Sequence, residues 1–544
     1  MSSAAPIVST SRGAVRGAVR DGVATFRGIP YAAAPVGDLR FAEPRPHAGW
    51  DGVRDATVDG ATCPKPVIPA PTGGLLEDPV FPGDEPLNVN VFTPVDALPG
   101  GATDGRDRAA EAPAGGPLPR LPVIVWIHGG AFRSGAGSAR IYDGSAFARD
   151  GVVCVTFNYR LGMDGFGHLP DAPANRGLLD QAALLEWVRD EIGAFGGDPD
   201  RVTIFGESSG AMSAICLMTM PRARGLFGRV IAQSGGGQHV QSIVSAARVA
   251  RTLADRLNVE PTAAGFGDVP LEAFVAAQHQ LGTEVSTTDR EAWGPLGWDA
   301  MPYEPVVDGD VLPVQPLEAA RDGAGADIPL LTGTNAEEYR FWLVPLGVLP
   351  HVRDEHVALN ATALALPPER LDAYLAIDPP GARAEALIAD WFFRLPAVRL
   401  AEARWGVTVS DVAAAPAPST TSPPAPGAAG PPPAPTHLYE FTWRSPSFAT
   451  DAIPDGLGAA HAVEIPFVFG TQDVEEARPL VGPDPPAALA AEMHAVWVAF
   501  ARGDEPDWPA YDPDRRPVRV FSDGERRVVE DPEAARRRAW DGVR

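Results

Sequence analysis

Five residues, Gly206-Glu207-Ser208-Ser209-Gly210, set a serine among small neighbours. They follow the apolar run Val202 to Phe205 (VTIF) and open a helix-like run, AMSAICLM. A serine between a strand and a helix sits on a sharp, strained turn that exposes its hydroxyl, and small flanking residues keep that turn free of clashes. The chemistry that such a serine does is attack on a carbonyl carbon. A bare G-x-S-x-G is a weak pattern in a chain with 57 glycines, so the flanking elements carry the reading.

A serine hydroxyl is a poor nucleophile at neutral pH and needs a base. In the sheet type that carries this turn, the base comes late in the chain, after the acid that orients it. Of ten histidines, His437 opens a strand-like run (HLYEFTW) and His494 lies in a helical one (AALAAEMHAVWVAF), so both read as structural. His351 and His356 follow closely on an acidic pair. His461 lies in a Gly/Ala-rich loop, LGAAHAVEIPFVFG, which suits a base held above a sheet, although a loop histidine by itself is usually only solvated. The acidic pair is Glu337-Glu338, which follows the strand-like PLLT, at a strand end where ligand chemistry collects in open α/β sheets. Taken alone, such a pair more often marks a solvated turn.

Acyl transfer also needs donors for a developing oxyanion. Gly129-Gly130-Ala131-Phe132 follows Trp126-Ile127-His128 at the end of an apolar run, and small residues there expose backbone N–H groups. The N–H of Ser209 would add a third donor. A plain glycine turn would have the same spacing. A base beside one carboxylate, starting from a free value of about 6.5, should lose activity as pH falls through about 6 to 7.

These groups need a scaffold, and the centre of the chain alternates strand and helix signals. Leu121 to Ile127, Val152 to Tyr159, Val202 to Phe205, Val230 to Gln233 and Pro329 to Thr332 read as strands, and Leu178 to Ile192 has helical periodicity. Continuous apolar strands separated by helices predict an α/β fold with a mostly parallel central sheet, helices on both faces and large loop insertions. Residues 98–120 and 412–436 are rich in Ala, Pro and Gly and poor in large apolar side chains, so they read as flexible surface inserts within one domain spanning 1–544.

The net charge is −25, from 70 acidic against 45 basic residues, which argues against nucleic acid and anionic membrane as partners. No stretch of about 18 apolar residues appears, and the first thirty residues hold no long apolar run. Cys63, Cys154 and Cys216 are too few for a disulfide framework and point to a reducing, cytoplasmic location. Their spacing shows no metal site.

Together the motifs resemble those of the type-B carboxylesterase family of the α/β-hydrolase fold. The resemblance begins at FRGIPYAAAPVGDLRF, runs through WIHGGAFRSGAGS and is densest between Asn158 and Ala211. It continues through LFGRVIAQSGG, GTNAEEYRF and HAVEIPFVFG to FARGDEPDWPAYDP. It implies Ser208 as nucleophile, Glu338 as acid and His461 as base. It implies Gly130, Ala131 and Ser209 as oxyanion donors, and Ser234 as a serine hydrogen-bonded near the acid. Arg160 with Asp180, and Arg40 with Asp84, match the family's structural ion pairs. The implied activity is hydrolysis of a small-molecule carboxylic ester, with no cofactor or metal, by a monomer or homodimer. A related acyl bond (amide, thioester or carbamate) fits the same residues. A non-catalytic binding protein of the same family fits less well, because such members lack triad residues.

Three departures stand out. Tyr339 follows the implied acid, where the family usually has glycine. The family signature E-D-C-L reads Asp84-Glu85-Pro86-Leu87, so Cys63 has no partner for the bridge seen in secreted members. The Pro/Ala-rich insert has no counterpart in the family pattern.

Overall fold

In an eleven-stranded sheet, the strands lie in the order Arg527–Glu530, Pro517–Phe521, Thr436–Phe441, Leu330–Asn335, Arg229–Gln233, Gly197–Glu207, Leu121–Ile127, Val153–Phe157, Asn88–Pro94, Val23–Pro30 and Ala18–Arg20. The structure, a computed structural model, describes residues 5–99, 120–287, 293–405, 433–524 and 526–543. From Pro517–Phe521 through Val153–Phe157 every pairing is parallel, and the pairings outside that block are antiparallel.

The central strands are apolar without a break because both of their faces are covered. Val123 and Val125 enter one buried cluster, while Ile124 and Trp126 enter another. Val153 and Val155 divide from Cys154 in the same way, and Val230 and Ala232 from Ile231. This is the two-residue alternation of a strand, with an apolar layer on each side. Leu178, Leu184, Leu185 and Val188 of the helix Arg176–Glu191 cover the first face, and Met493, Trp497 and Phe500 of the helix Ala487–Arg502 cover the second. Each such side chain, once fully buried, contributes roughly 1.5–3 kcal/mol before entropy is counted.

Register then gathers the loops. Ile127 pairs with Gly206, Glu207 with Gln233, and Gln233 with Gly333. The residues just beyond these positions, His128 to Gly130, Ser208, Ser234 and Asn335 to Glu338, therefore emerge at one edge of the sheet.

The strand read as Val202 to Phe205 is the second half of Gly197–Glu207, whose polar first half (GDPDR) carries no hydrophobic signal. Nearly all of residues 98–120 and 412–436 lies outside the described residues. Their described ends are packed: Leu98 is buried, Leu330 N–H donates to Pro435 O, and Thr436 begins a strand. The expected Arg160–Asp180 pair is present, with two guanidinium contacts of 2.8 and 2.7 Å to the carboxylate. The expected Arg40–Asp84 pair is corrected: Arg40 Nε donates to Asp164 at 2.6 Å, because the helix Gly162–Phe166 brings that carboxylate to it. No helix among the described residues is long and apolar enough to cross a membrane.

Candidate active site

Ser208 lies between the strand Gly197–Glu207 and the helix Ser209–Thr219 with φ 55° and ψ −125°. Few L-residues tolerate that backbone, and it persists only where the surroundings over-determine it. Here they do. Ser208 N–H donates to Gln233 O at 2.9 Å. A Cβ on Gly210 would stand 1.9 Å from Ile127 O, so the helix can start this close to the neighbouring strand only without a side chain there. As the first residue of that helix, Ser209 has an N–H with no intrahelical acceptor.

The second turn begins at His128. Gly130, Ala131 and Phe132 have φ of 115°, 52° and 57°. The carbonyl of Gly130 accepts from Arg133 N, Ser134 N and Ser134 Oγ at 3.0–3.1 Å, which closes the turn. Tyr159 secures its start, with its hydroxyl donating to His128 O at 2.7 Å and its ring stacked on the imidazole at 4.5 Å.

Glu338 and His461, expected from the sequence to be acid and base, meet across a long stretch of chain. Glu338 Oε2 lies 2.7 Å from His461 Nδ1. Its other oxygen accepts from Ser234 Oγ at 2.6 Å and from Asn335 N at 2.8 Å, and His461 N–H donates to the Glu338 backbone oxygen. Four contacts thus fix the carboxylate and the ring together. Glu337 points elsewhere: it binds Arg444 and accepts from Ala459 N at 3.0 Å, so it is not the exposed neighbour that its position implies. His437 and His494 are buried in a strand and a helix, as their runs implied.

Two carboxylates in the site escaped sequence reasoning. Glu207 Oε1 stands 2.9 Å from His461 Nε2. Glu464 accepts from Gln233 Nε2 at 3.0 Å and from Asn335 Nδ2 at 2.6 Å. The available signals were weak: Glu207 sits inside the serine motif, and Glu464 is three residues beyond His461. Phe393 was also missed. Its ring lies 4.6 Å from the imidazole, alongside Trp342 at 5.1 Å and Phe341 at 5.9 Å. Tyr339 joins the same aromatic wall, 4.9 Å from Trp342. Phe132, at the end of the glycine turn, packs instead on Phe166.

Burial by itself would lower the pKa of His461, but the charges of Glu207 and Glu338 outweigh it and raise the value to about 10. Burial raises Glu207, and His461 pulls it back only in part. Burial, then the charges of Glu207 and Glu338, push Glu464 up to about 8. An acidic limb between about 6 and 7 rests on one carboxylate beside the ring; two carboxylates move it upward. Chemically, the site offers a strained serine, an imidazole tied to a fixed carboxylate, and a turn of N–H groups beside the serine.

A model of the carboxylesterase family matches residues 4–360. The chain is 34% identical to a para-nitrobenzyl esterase of Bacillus subtilis, covering 98% of this chain and 97% of that one. It is 32% identical to a phenmedipham hydrolase of Pseudarthrobacter oxydans, covering 97% of each. Among solved structures, a carboxylesterase of Geobacillus stearothermophilus superposes with a TM-score of 0.76 at 33% identity, covering 98% of this chain and 99% of that one.

Proposed function

This chain belongs to the carboxylesterase family and is a carboxylic ester hydrolase, and from that premise we propose that Ser208, His461 and Glu338 are its catalytic triad. Ser208 Oγ attacks the ester carbonyl as His461 Nε2 takes its proton. Glu338 holds Nδ1 and stabilises the imidazolium that forms. Glu207, against the same ring, adds a second compensating charge. The N–H groups of Gly130, Ala131 and Ser209 receive the oxyanion. His461 then protonates the leaving alcohol, and water attacks the acyl-enzyme by the reverse proton path.

The observation that carries this reading is the 2.7 Å contact of Glu338 with His461, in a site where Ser208 is held in its strained turn. A cytoplasmic location accords with three free, buried cysteines. A monomer or homodimer is the assembly proposed.

An organophosphate tests the assignment. It should label the protein once, at Ser208, and Ser208→Ala should lose on the order of 10⁴–10⁶ in turnover. Labelling at another serine, or near-normal turnover by the variant, would refute it.

A further inference from the structure

Lys65 is the only lysine in the chain, and its side chain is 1% exposed. Its ammonium donates to Asp78 Oδ1 and, at 3.0 Å, to the backbone oxygen of Gly135. The same Asp78 oxygen accepts the N–H of Gly135 at 3.1 Å. One ion pair therefore holds both polar groups of a single residue. A buried ammonium is costly unless it is paired and hydrogen-bonded, and these contacts meet that need.

Gly135 is not a neutral anchor point. It directly follows Ser134, whose N–H and hydroxyl close the turn onto Gly130 O. Its φ is 98°, and a Cβ there would stand 2.4 Å from Gly129 O and 2.4 Å from His128 Nδ1. The Gly135 backbone is thus pressed against the two residues that lead into Gly130 and Ala131. The ammonium is also felt there. Burial holds His128 down to about 3, against its contact with Gly129 O, and the charge of Lys65 lowers it further. Lys65 and Asp78 both lie on the segment between the strands Val53–Asp55 and Asn88–Pro94, and this ion pair ties that segment to the turn.

We propose that Lys65 and Asp78 are positioning residues for the oxyanion turn, fixing Gly135 and through it the direction of the Gly130 and Ala131 N–H groups. The proposal rests on reading those two groups as oxyanion donors. A contact that strengthens only as charge develops raises kcat rather than lowering KM.

The test is Lys65→Met, which keeps an unbranched stem and removes the ammonium. Turnover of short aryl esters is measured per site titrated with an organophosphate. Affinity for a trifluoromethyl ketone, whose serine adduct carries an oxyanion, is measured alongside. The expected result is a kcat lower by about tenfold or more with KM within about twofold, and ketone affinity lower by the same factor as kcat/KM. Lys65→Arg should restore part of the loss. Unchanged kcat and ketone affinity with a lowered melting temperature would make the pair a structural tie only and overturn the proposal. If Lys65→Met does not fold, Asp78→Leu, at a partly exposed position, carries the same split between kcat and KM, and an unchanged kcat there overturns the proposal too. Failure of the wild type to titrate at Ser208 would instead refute the triad assignment.

Discussion

Oε1 of Glu207, the residue before Ser208, lies 2.9 Å from Nε2 of His461. Glu338 holds the opposite ring nitrogen at 2.7 Å, so the imidazole stands between two carboxylates. All three side chains are at most 5% exposed, so water screens these charges little. The ring is easier to protonate, and to keep protonated, than one beside a single carboxylate.

The consequence is a pH dependence with a definite sign. A base acts when neutral, and the two carboxylates raise His461 to about 10. The kcat/KM of the wild type should therefore still be rising with pH well above about 6.5, the value of a free imidazole. Glu207→Gln removes one of the raising charges and should move the acidic limb down by about one to two units. Its plateau should also fall, because the imidazolium loses a compensating charge. Profiles from pH 5 to 10 check this, and an unmoved or upward-shifted limb would contradict it.

Glu338→Gln and Glu337→Gln should separate activity from stability. The first takes the ionic partner from His461 Nδ1, and turnover should fall by about 10³-fold or more. The second breaks the contacts with Arg444 and Ala459 N, so it should cost about 1–3 kcal/mol of stability and leave turnover per folded molecule within a few-fold. Urea titration with activity measured on the same samples distinguishes them.

Gly210→Ala tests the serine turn without touching a polar group. Its new Cβ would meet the backbone oxygen of Ile127 at 1.9 Å, and neither strand nor helix can yield there cheaply. Ester hydrolysis should fall at least tenfold, or the protein should fail to fold. Normal kcat in a normally stable variant would show that the turn has room that the geometry denies it.

Arg160→Ala should be strongly destabilising. The guanidinium reaches Asp180 twice and the carbonyls of Arg40 and Ala42 at 3.0 and 2.7 Å. Its loss leaves a fully buried carboxylate without its counter-charge, a cost of about 3–5 kcal/mol by denaturant unfolding.

Much of this protein follows from local pattern. The serine turn, the glycine turn after Leu121–Ile127 and the central strands were legible because each depends on residues adjacent in the chain: an apolar run, a glycine, a helical period. The proposed acid and base needed the resemblance as well, since Glu338 and His461 stand 123 residues apart and either could be a solvated surface group by sequence alone. The polar half of Gly197–Glu207 was invisible because its backbone pairing leaves no hydrophobic trace.

Only the tertiary structure decided what surrounds the ring. Glu207 meets His461, Glu464 meets Asn335, and Lys65 reaches Gly135 because register and loop packing bring distant segments within 3 Å. The same packing gave Arg40 to Asp164 rather than Asp84. Residue types record which chemistry a side chain can do. Which partner it meets, and hence its charge state once water is excluded, is set by three-dimensional distance, and Coulomb energies in a buried site depend on that distance directly.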